Sequence, residues 1–187
     1  DTSNGAITRN GGTISVNYNG SSGITNAIAA GGIDLFSAGS GVIWATSTGG
    51  GNINLSGDSD IGFRVETAGD LTVTVAGSAG NNSDVIARSV GINADAGISL
   101  YDQTVTIDVG SYRYLAATNG SIDIENKGDI NLDGNVTAGG TNSIRLNSSQ
   151  NSLLQNSGTI DGYSVELKAG GSVTQDASAK VVTGDGG

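Results

Sequence analysis

The chain has 187 residues, including 32 glycines but no cysteine, methionine, proline or histidine, and its 18 acidic against 8 basic residues give a net charge of −10. That inventory excludes disulfide frameworks, thiolate chemistry and imidazole metal sites. An acidic surface repels phosphate backbones and anionic lipid, so neither a nucleic-acid partner nor membrane insertion is expected.

No run reaches the roughly eighteen apolar residues of a membrane span, and residues 1–20 lack the basic start and apolar core of an export signal. The chain therefore reads as a mature portion or an excised fragment. Helix formers are scarce, and no stretch carries apolar residues at i, i+3, i+4 and i+7 over three turns. Glycine and serine enrichment raises disorder as a rival, but the apolar residues fall in short alternating runs. Leu71, Val73, Val75 and Val105, Ile107, Val109 have the period of two that half-buried strands require.

In chain order, a Gly-x-Ile-x-Leu phrase recurs. It runs from Gly12-Thr13-Ile14-Ser15-Val16 through Gly32-Ile33-Asp34-Leu35, Gly51-Asn52-Ile53-Asn54-Leu55 and Gly69-Asp70-Leu71-Thr72-Val73. Gly97-Ile98-Ser99-Leu100, Gly120-Ser121-Ile122-Asp123-Ile124 and Gly128-Asp129-Ile130-Asn131-Leu132 follow; Ser143-Ile144-Arg145-Leu146 and Ser164-Val165-Glu166-Leu167 close the series. Leading apolar positions 14, 33, 53, 71, 98, 122, 144 and 165 lie 18 to 27 residues apart. Further strands are expected at 41–46, 61–67, 85–92, 105–109 with 112–116, and 153–154, with Asn, Asp, Gly and Ser supplying the turns between them.

A unit this short cannot close a core alone, but stacked units can. The expected fold is all-β: a right-handed parallel β-helix (β-solenoid) of about eight coils of 18–27 residues, one domain over 1–187, belonging to a longer repeat shaft. Ile14, Ile33, Ile53, Leu71, Ile98 and Ile122 are expected to stack inside one sheet. Asn-Gly at 4–5, 19–20 and 119–120 is a hairpin signature and favours an antiparallel sandwich instead. The short period, the short strands and the missing tyrosine-corner pattern weigh against that sandwich.

The phrases Gly51-Asn-Ile-Asn-Leu, Ala68-Gly-Asp-Leu-Thr-Val and Asn126-Lys-Gly-Asp-Ile-Asn-Leu-Asp-Gly resemble the repeats of filamentous haemagglutinin-like large exoproteins, the adhesins of two-partner secretion. The resemblance spans nearly the whole chain. It implies a β-helix shaft at the cell surface, exported through an outer-membrane secretion partner and used in attachment and virulence. The expected partner is a glycan or protein on a host or bacterial surface. Autotransporter passengers and phage tail fibres look similar at this level.

Several residue groups raise specific chemistry. Asp129-Ile-Asn131-Leu-Asp133-Gly134 opens like a calcium loop, but its closing position holds Gly140 where a glutamate is needed. Extension along a strand is the expectation, with no metal site and no cofactor. Asp58 with Asp60, and Asp123 with Glu125, are spaced to share one strand face, at ~7 Å within reach of a glycosidase pair. Outward carboxylates serving solvation are the simpler reading, so no catalytic residue is assigned and the chain is expected not to be an enzyme. Arg64, Arg88, Arg113 and Arg145 are scattered over different coils. Tyr112-Arg113-Tyr114 offers either two aromatic faces on one side or core packing. Asn-x-Ser/Thr triplets begin at Asn19, Asn54, Asn81, Asn119, Asn135 and Asn147.

Trp44, the only tryptophan, is the candidate contact residue. Aligning coils on Ile53 and Leu71 sets Ile61 with Ile43 and Phe63 with Ala45, which places Trp44 opposite Gly62 on the outer face. The functional expectation is an adhesive shaft that binds without turnover; the alternative is a carbohydrate-active β-helix, a phage-type depolymerase or a glycosidase.

Overall fold

The computed structural model describes residues 6–9, 12, 14–18, 24–102 and 104–184. Among these the chain is all-β, with twenty strands and no helix. Every strand pairing is parallel, and the strands stack as a solenoid of about eight turns.

Two faces run the length of the stack. The first comprises β2 (Ile14–Tyr18), β4 (Ile33–Ser37), β6 (Ile53–Gly57), β8 (Asp70–Val75), the ends of β9 (Ala79–Ala94) and β11 (Ile107–Ala117), then β14 (Val136–Ala138), β17 (Thr159–Gly162) and β20 (Lys180–Thr183). The second comprises β1 (Ala6–Arg9), β3 (Ile24–Ala29), β5 (Gly41–Ser47), β7 (Ile61–Thr67), the start of β9, then β10 (Ile98–Tyr101), β12 (Ile122–Asn126), β15 (Ser143–Ser148) and β18 (Ser164–Ala169).

Midway, the second face splits and a third appears. Between the pairs Phe63–Asn81 and Val65–Val85, β7 advances two residues while β9 advances four. One coil later, between Gly80–Ser99 and Val85–Ile107, the advance is five against eight. The inserted residues turn the chain through an extra corner. A third face then runs from the middle of β9 through the start of β11 to β13 (Ile130–Leu132), β16 (Leu153–Gln155) and β19 (Val173–Gln175). On the first face the coil grows from steps of 18–20 residues (Ile33 to Ile53, Leu71 and Val90) to steps of 21–24 (Ile92 to Leu115, Val136 and Ile160). The two bulkiest buried side chains, Phe63 and Tyr112, stand on either side of this widening, where a broader interior needs more volume to remain filled.

Alternation does the sorting. Odd positions of β5, Ile43 and Ala45, point inward while Val42 and Trp44 face out; Phe63 and Val65 of β7 do the same around Gly62 and Arg64. Polar side chains at inward strand ends close the corners. The Ser47 hydroxyl donates to Gly31 O at 2.8 Å and accepts from Gly51 N at 2.8 Å; one coil on, Thr67 repeats this with Gly51 O at 2.7 Å and Gly69 N at 2.9 Å. These two hydroxyls thus keep partners, as burial demands.

The expected single stack needs correction. Ile14, Ile33, Ile53 and Leu71 do pair in register on the first face, although the side chain of Ile14 lies outside the described set. Leu71 continues to Val90, however, whereas Ile98 and Ile122 lie on the second face above Ile61 and Ala79. The Gly-x-Ile phrase marks a strand leaving a corner, and every face uses it. Asn119-Gly120 is a corner between parallel strands, not a hairpin: Asn119 donates to Asp95 Oδ1 of the coil below at 3.0 Å. The pairs at 4–5 and 19–20 lie outside the described residues.

Candidate functional site

Parallel stacking places like positions of successive coils in rows ~4.8 Å apart, so the outward side chains of any face form a lattice. The most heavily bonded lattice lies on the second face. Its outward pairs are Ser99 and Tyr101, Asp123 and Glu125, Arg145 and Asn147, then Glu166 and Lys168. Arg145 sits at the centre. Its guanidinium reaches Asp123 at 2.9 Å, Glu125 at 3.2 Å and Glu166 at 3.6 Å. Lys168 meets Glu166 at 2.5 Å and holds that carboxyl below its ordinary range. The exposed Tyr101 donates its hydroxyl to Asp123 at 2.8 Å, and partial burial together with this bond raises its pKa.

Asp123 and Glu125 therefore share an outer face, as their spacing requires, but both are engaged by one arginine. A glycosidase needs one of its two carboxyls free to give a proton to the leaving group; here both already accept hydrogen bonds from the Arg145 guanidinium. Asp58 and Asp60 do not share a strand face. They lie in the turn before β7, where Asp60 Oδ1 accepts from Ser78 N at 2.7 Å.

Trp44 lies on the outer side of β5, half-buried. The alignment that set Ile43 with Ile61 is two residues out: Ile43 pairs with Phe63, and Trp44 stands between Asn26 and Arg64 rather than opposite Gly62. A slip of two preserves the side of the sheet, since strands have a period of two. Arg64 approaches Glu66 at 3.6 Å and Asp84 at 3.8 Å, and the indole N–H is sealed from solvent with no partner among the described residues.

The Tyr112-Arg113-Tyr114 segment breaks the two-residue rule. A register shift between Tyr112 and Tyr114 sends Tyr112 into the core and Tyr114 outward, so the two rings never share a side. Burial pushes the Tyr112 phenol well above its ordinary value, and its hydroxyl has no partner among the described residues. The unfolded phenol ionises first, so stability is level below the unfolded value of about 10 and falls as pH rises above it towards the raised folded value. Tyr112→Phe is expected to leave the fold intact, raise stability by about 1–2 kcal/mol at neutral pH by removing an unpaired buried hydroxyl, and flatten the alkaline loss in a pH series of thermal melts.

The calcium-like run is spent on neighbouring coils. Asp129 Oδ1 accepts from Ser152 N at 2.9 Å, Asn131 Nδ2 donates to Gly110 O at 3.0 Å, and Asp133 Oδ1 accepts from Asn156 Nδ2 at 2.8 Å. Ile130 and Leu132 between them are buried. Of the triplet asparagines, Asn54 donates to Asp34 at 2.6 Å, Asn81 to Tyr101 O at 2.9 Å, and Asn135 Oδ1 accepts from Thr159 N at 2.9 Å. Asn147 stands in the Arg145 lattice, and Asn19 lies outside the described residues.

Another charged cluster locks a corner. Arg88 donates to Asp70 at 2.9 and 2.8 Å, and the buried Ser89 hydroxyl adds a third bond at 2.8 Å. The guanidinium bonds, and to a lesser degree Ser89, hold the Asp70 carboxyl below its ordinary 3.8. A depressed carboxyl stabilises the fold above the unfolded pKa and loses that contribution as pH falls through the lower folded value. Thermal midpoints are expected to drop below about pH 4, and Asp70→Asn to make that acid slope shallower.

Sequence reading did not single out Tyr101, nor Arg145 as a hub. The signal is an acid and a base 22 residues apart, Asp123 and Arg145, and it becomes readable only once the coil length is known. No protein-family model, no curated protein and no solved structure matches the chain. The resemblance to haemagglutinin-like exoproteins thus rests on the repeat phrases alone.

Proposed function

We propose that the chain is part of an elongated bacterial adhesin or exoprotein shaft, which presents surface lattices to a glycan or protein on another cell and does not turn its ligand over. The observation that carries this reading is the parallel stacking of about eight turns, which sets outward side chains in rows and holds them in unbroken register on the first face from β2 to β9. Such rows give many weak contacts along one line, and repetition converts these into strong attachment. The cell-surface location and export through an outer-membrane partner follow from the repeat phrases. Trp44, as the only tryptophan, is the contact candidate on the second face and a clean fluorescence reporter of binding there.

A carbohydrate-active reading has one observation in its favour, the same-face pair Asp123 and Glu125 beside the exposed ring of Tyr101. Arg145 weakens it, because it engages both acids.

Incubation of the chain with immobilised cell-surface polysaccharides, followed by assays for retained protein and for released sugar ends, separates the two. Saturable retention without release is expected. Release of reducing or unsaturated ends that disappears in Glu125→Gln or Asp123→Asn overturns the proposal.

A further inference from the structure

The first face carries a second outward lattice, of different chemistry from that around Arg145. Its rows, in register, are Asp34 and Phe36, Asn54 and Ser56, Thr72 and Thr74, Gly91 and Asn93, then Tyr114 and Ala116. Four coil steps separate Phe36 from Tyr114, a span of ~19 Å.

Both ends of this strip are aromatic. Phe36, half-buried, lines an open depression of about 310 Å³ together with Ser15, Asp34, Asn54 and Ser56. At the far end the Tyr114 ring lies flat on Gly91, where an added Cβ would come within 2.5 Å of two ring carbons. Glycine at 91 is what allows the ring to lie down on the sheet. Arg113 extends from the same end back to the middle row. Its guanidinium lies 5.9 Å from the Tyr114 ring centre and reaches back to Leu71 O at 3.2 Å and Thr72 Oγ1 at 3.1 Å.

Between the aromatic ends the floor is made of short neutral polar groups. Asn54, Thr74 and Asn93 are exposed, and among the described residues the side chains of Thr74 and Asn93 have no hydrogen-bond partner. The open floor residues Asn54, Ser56, Thr74 and Asn93 carry no charge; Asp34 flanks one end, accepting from Asn54 at 2.6 Å, and the Arg113 guanidinium lies over the middle row, donating to Thr72 Oγ1 at 3.1 Å. In a chain of net charge −10, the strip's one acid and one base cancel, and the exposed groups left to a ligand are neutral hydroxyls and amides.

We infer that this strip binds a neutral linear oligosaccharide laid along the solenoid axis. Hydroxyl and amide side chains pair with sugar hydroxyls, and aromatic rings take the apolar faces of the pyranose units. The ~4.8 Å row spacing is close to the advance of one hexose in an extended chain, so the strip holds about four units. This assignment deepens the adhesive reading and rests on it.

The test measures binding of neutral hexasaccharides (maltohexaose, cellohexaose and mannohexaose) and of an acidic one, a hexagalacturonate, to the intact chain. Three variants accompany it: Thr74→Arg, Phe36→Ala and Asp108→Asn, the last on the exposed third face. Thr74 is exposed on a strand, so Thr74→Arg blocks the floor without touching the core. The expected result is binding of at least one neutral hexasaccharide, at least tenfold weaker in Thr74→Arg and Phe36→Ala and unchanged in Asp108→Asn. Preference for the acidic sugar, or full affinity in Thr74→Arg, overturns the first-face assignment while leaving surface binding standing. Absence of binding to all four sugars overturns this assignment, and loss of retention on whole cell-surface polysaccharide as well overturns both.

Discussion

Phe63→Ala is expected to lower the stability of the fold by about 3–5 kcal/mol, the range for removing a fully enclosed aromatic side chain from a core that cannot collapse around the gap. Phe63 has no exposed surface. It stacks on Ile43 from one coil and pairs with Asn81 on the next, where β9 takes its extra residues and the second face divides. The cavity therefore opens where the narrow coils hand over to the wide ones. In a stack whose stability is a sum of coil and nearest-neighbour terms, loss at that junction also uncouples the two halves. Denaturant unfolding followed by circular dichroism should show a lower midpoint and a broadened or two-step transition. Phe36→Ala, on the outer side, serves as the control and is expected to cost less than about 1 kcal/mol.

Gly134→Ala is expected to destabilise by about 3 kcal/mol, at the upper end for overpacking, because the clash is with backbone rather than with a side chain that can rotate away. A Cβ at this position would lie 1.8 Å from Arg113 O of the preceding coil. The strand pair cannot absorb this without breaking the ladder that continues from Leu115 to Val136. Gly128→Ala is the control: its Cβ would meet the Asn126 side chain at 3.4 Å, an ordinary contact. A drop of about 6–12 °C in thermal midpoint for Gly134→Ala, against little change for Gly128→Ala, is the expected pattern.

Coil number, parallel stacking and the inward positions of Ile33, Ile53, Leu71, Ile98, Ile122 and Ile144 are legible in the sequence, because alternation and a recurring corner phrase are local signals. What the sequence hides is which face each phrase opens. The 27-residue gap between Leu71 and Ile98 is one first-face coil ending at Val90 followed by a change of face, and nothing local distinguishes that from a long coil. The bulge at Tyr112–Tyr114 is hidden for the same reason: period-two reasoning assumes an unbroken strand, and one extra residue inverts every side chain after it. Trp44 falls on the outer side even with the coils aligned two residues out, because such a slip preserves side but not neighbours, and its pairing with Arg64 is therefore not legible. The Arg145 lattice depends on pairs 20 to 22 residues apart, visible only after the register is known.

Both binding readings stand on outward rows that advance by one strand spacing per coil along a single face. The absence of cysteine permits paired nitroxide labels at chosen positions without background. Ser56 with Ala116, Thr137 and Asp161 in turn spans three, four and five coil steps of the first face, through Thr74 and Asn93. Electron–electron dipolar spectroscopy should give separations of ~14, ~19 and ~24 Å, lengthening by ~4.8 Å per coil. Separations that fail to lengthen in that order, or that place Asp161 across the molecule from Ser56, contradict the stacked lattice and with it both binding surfaces.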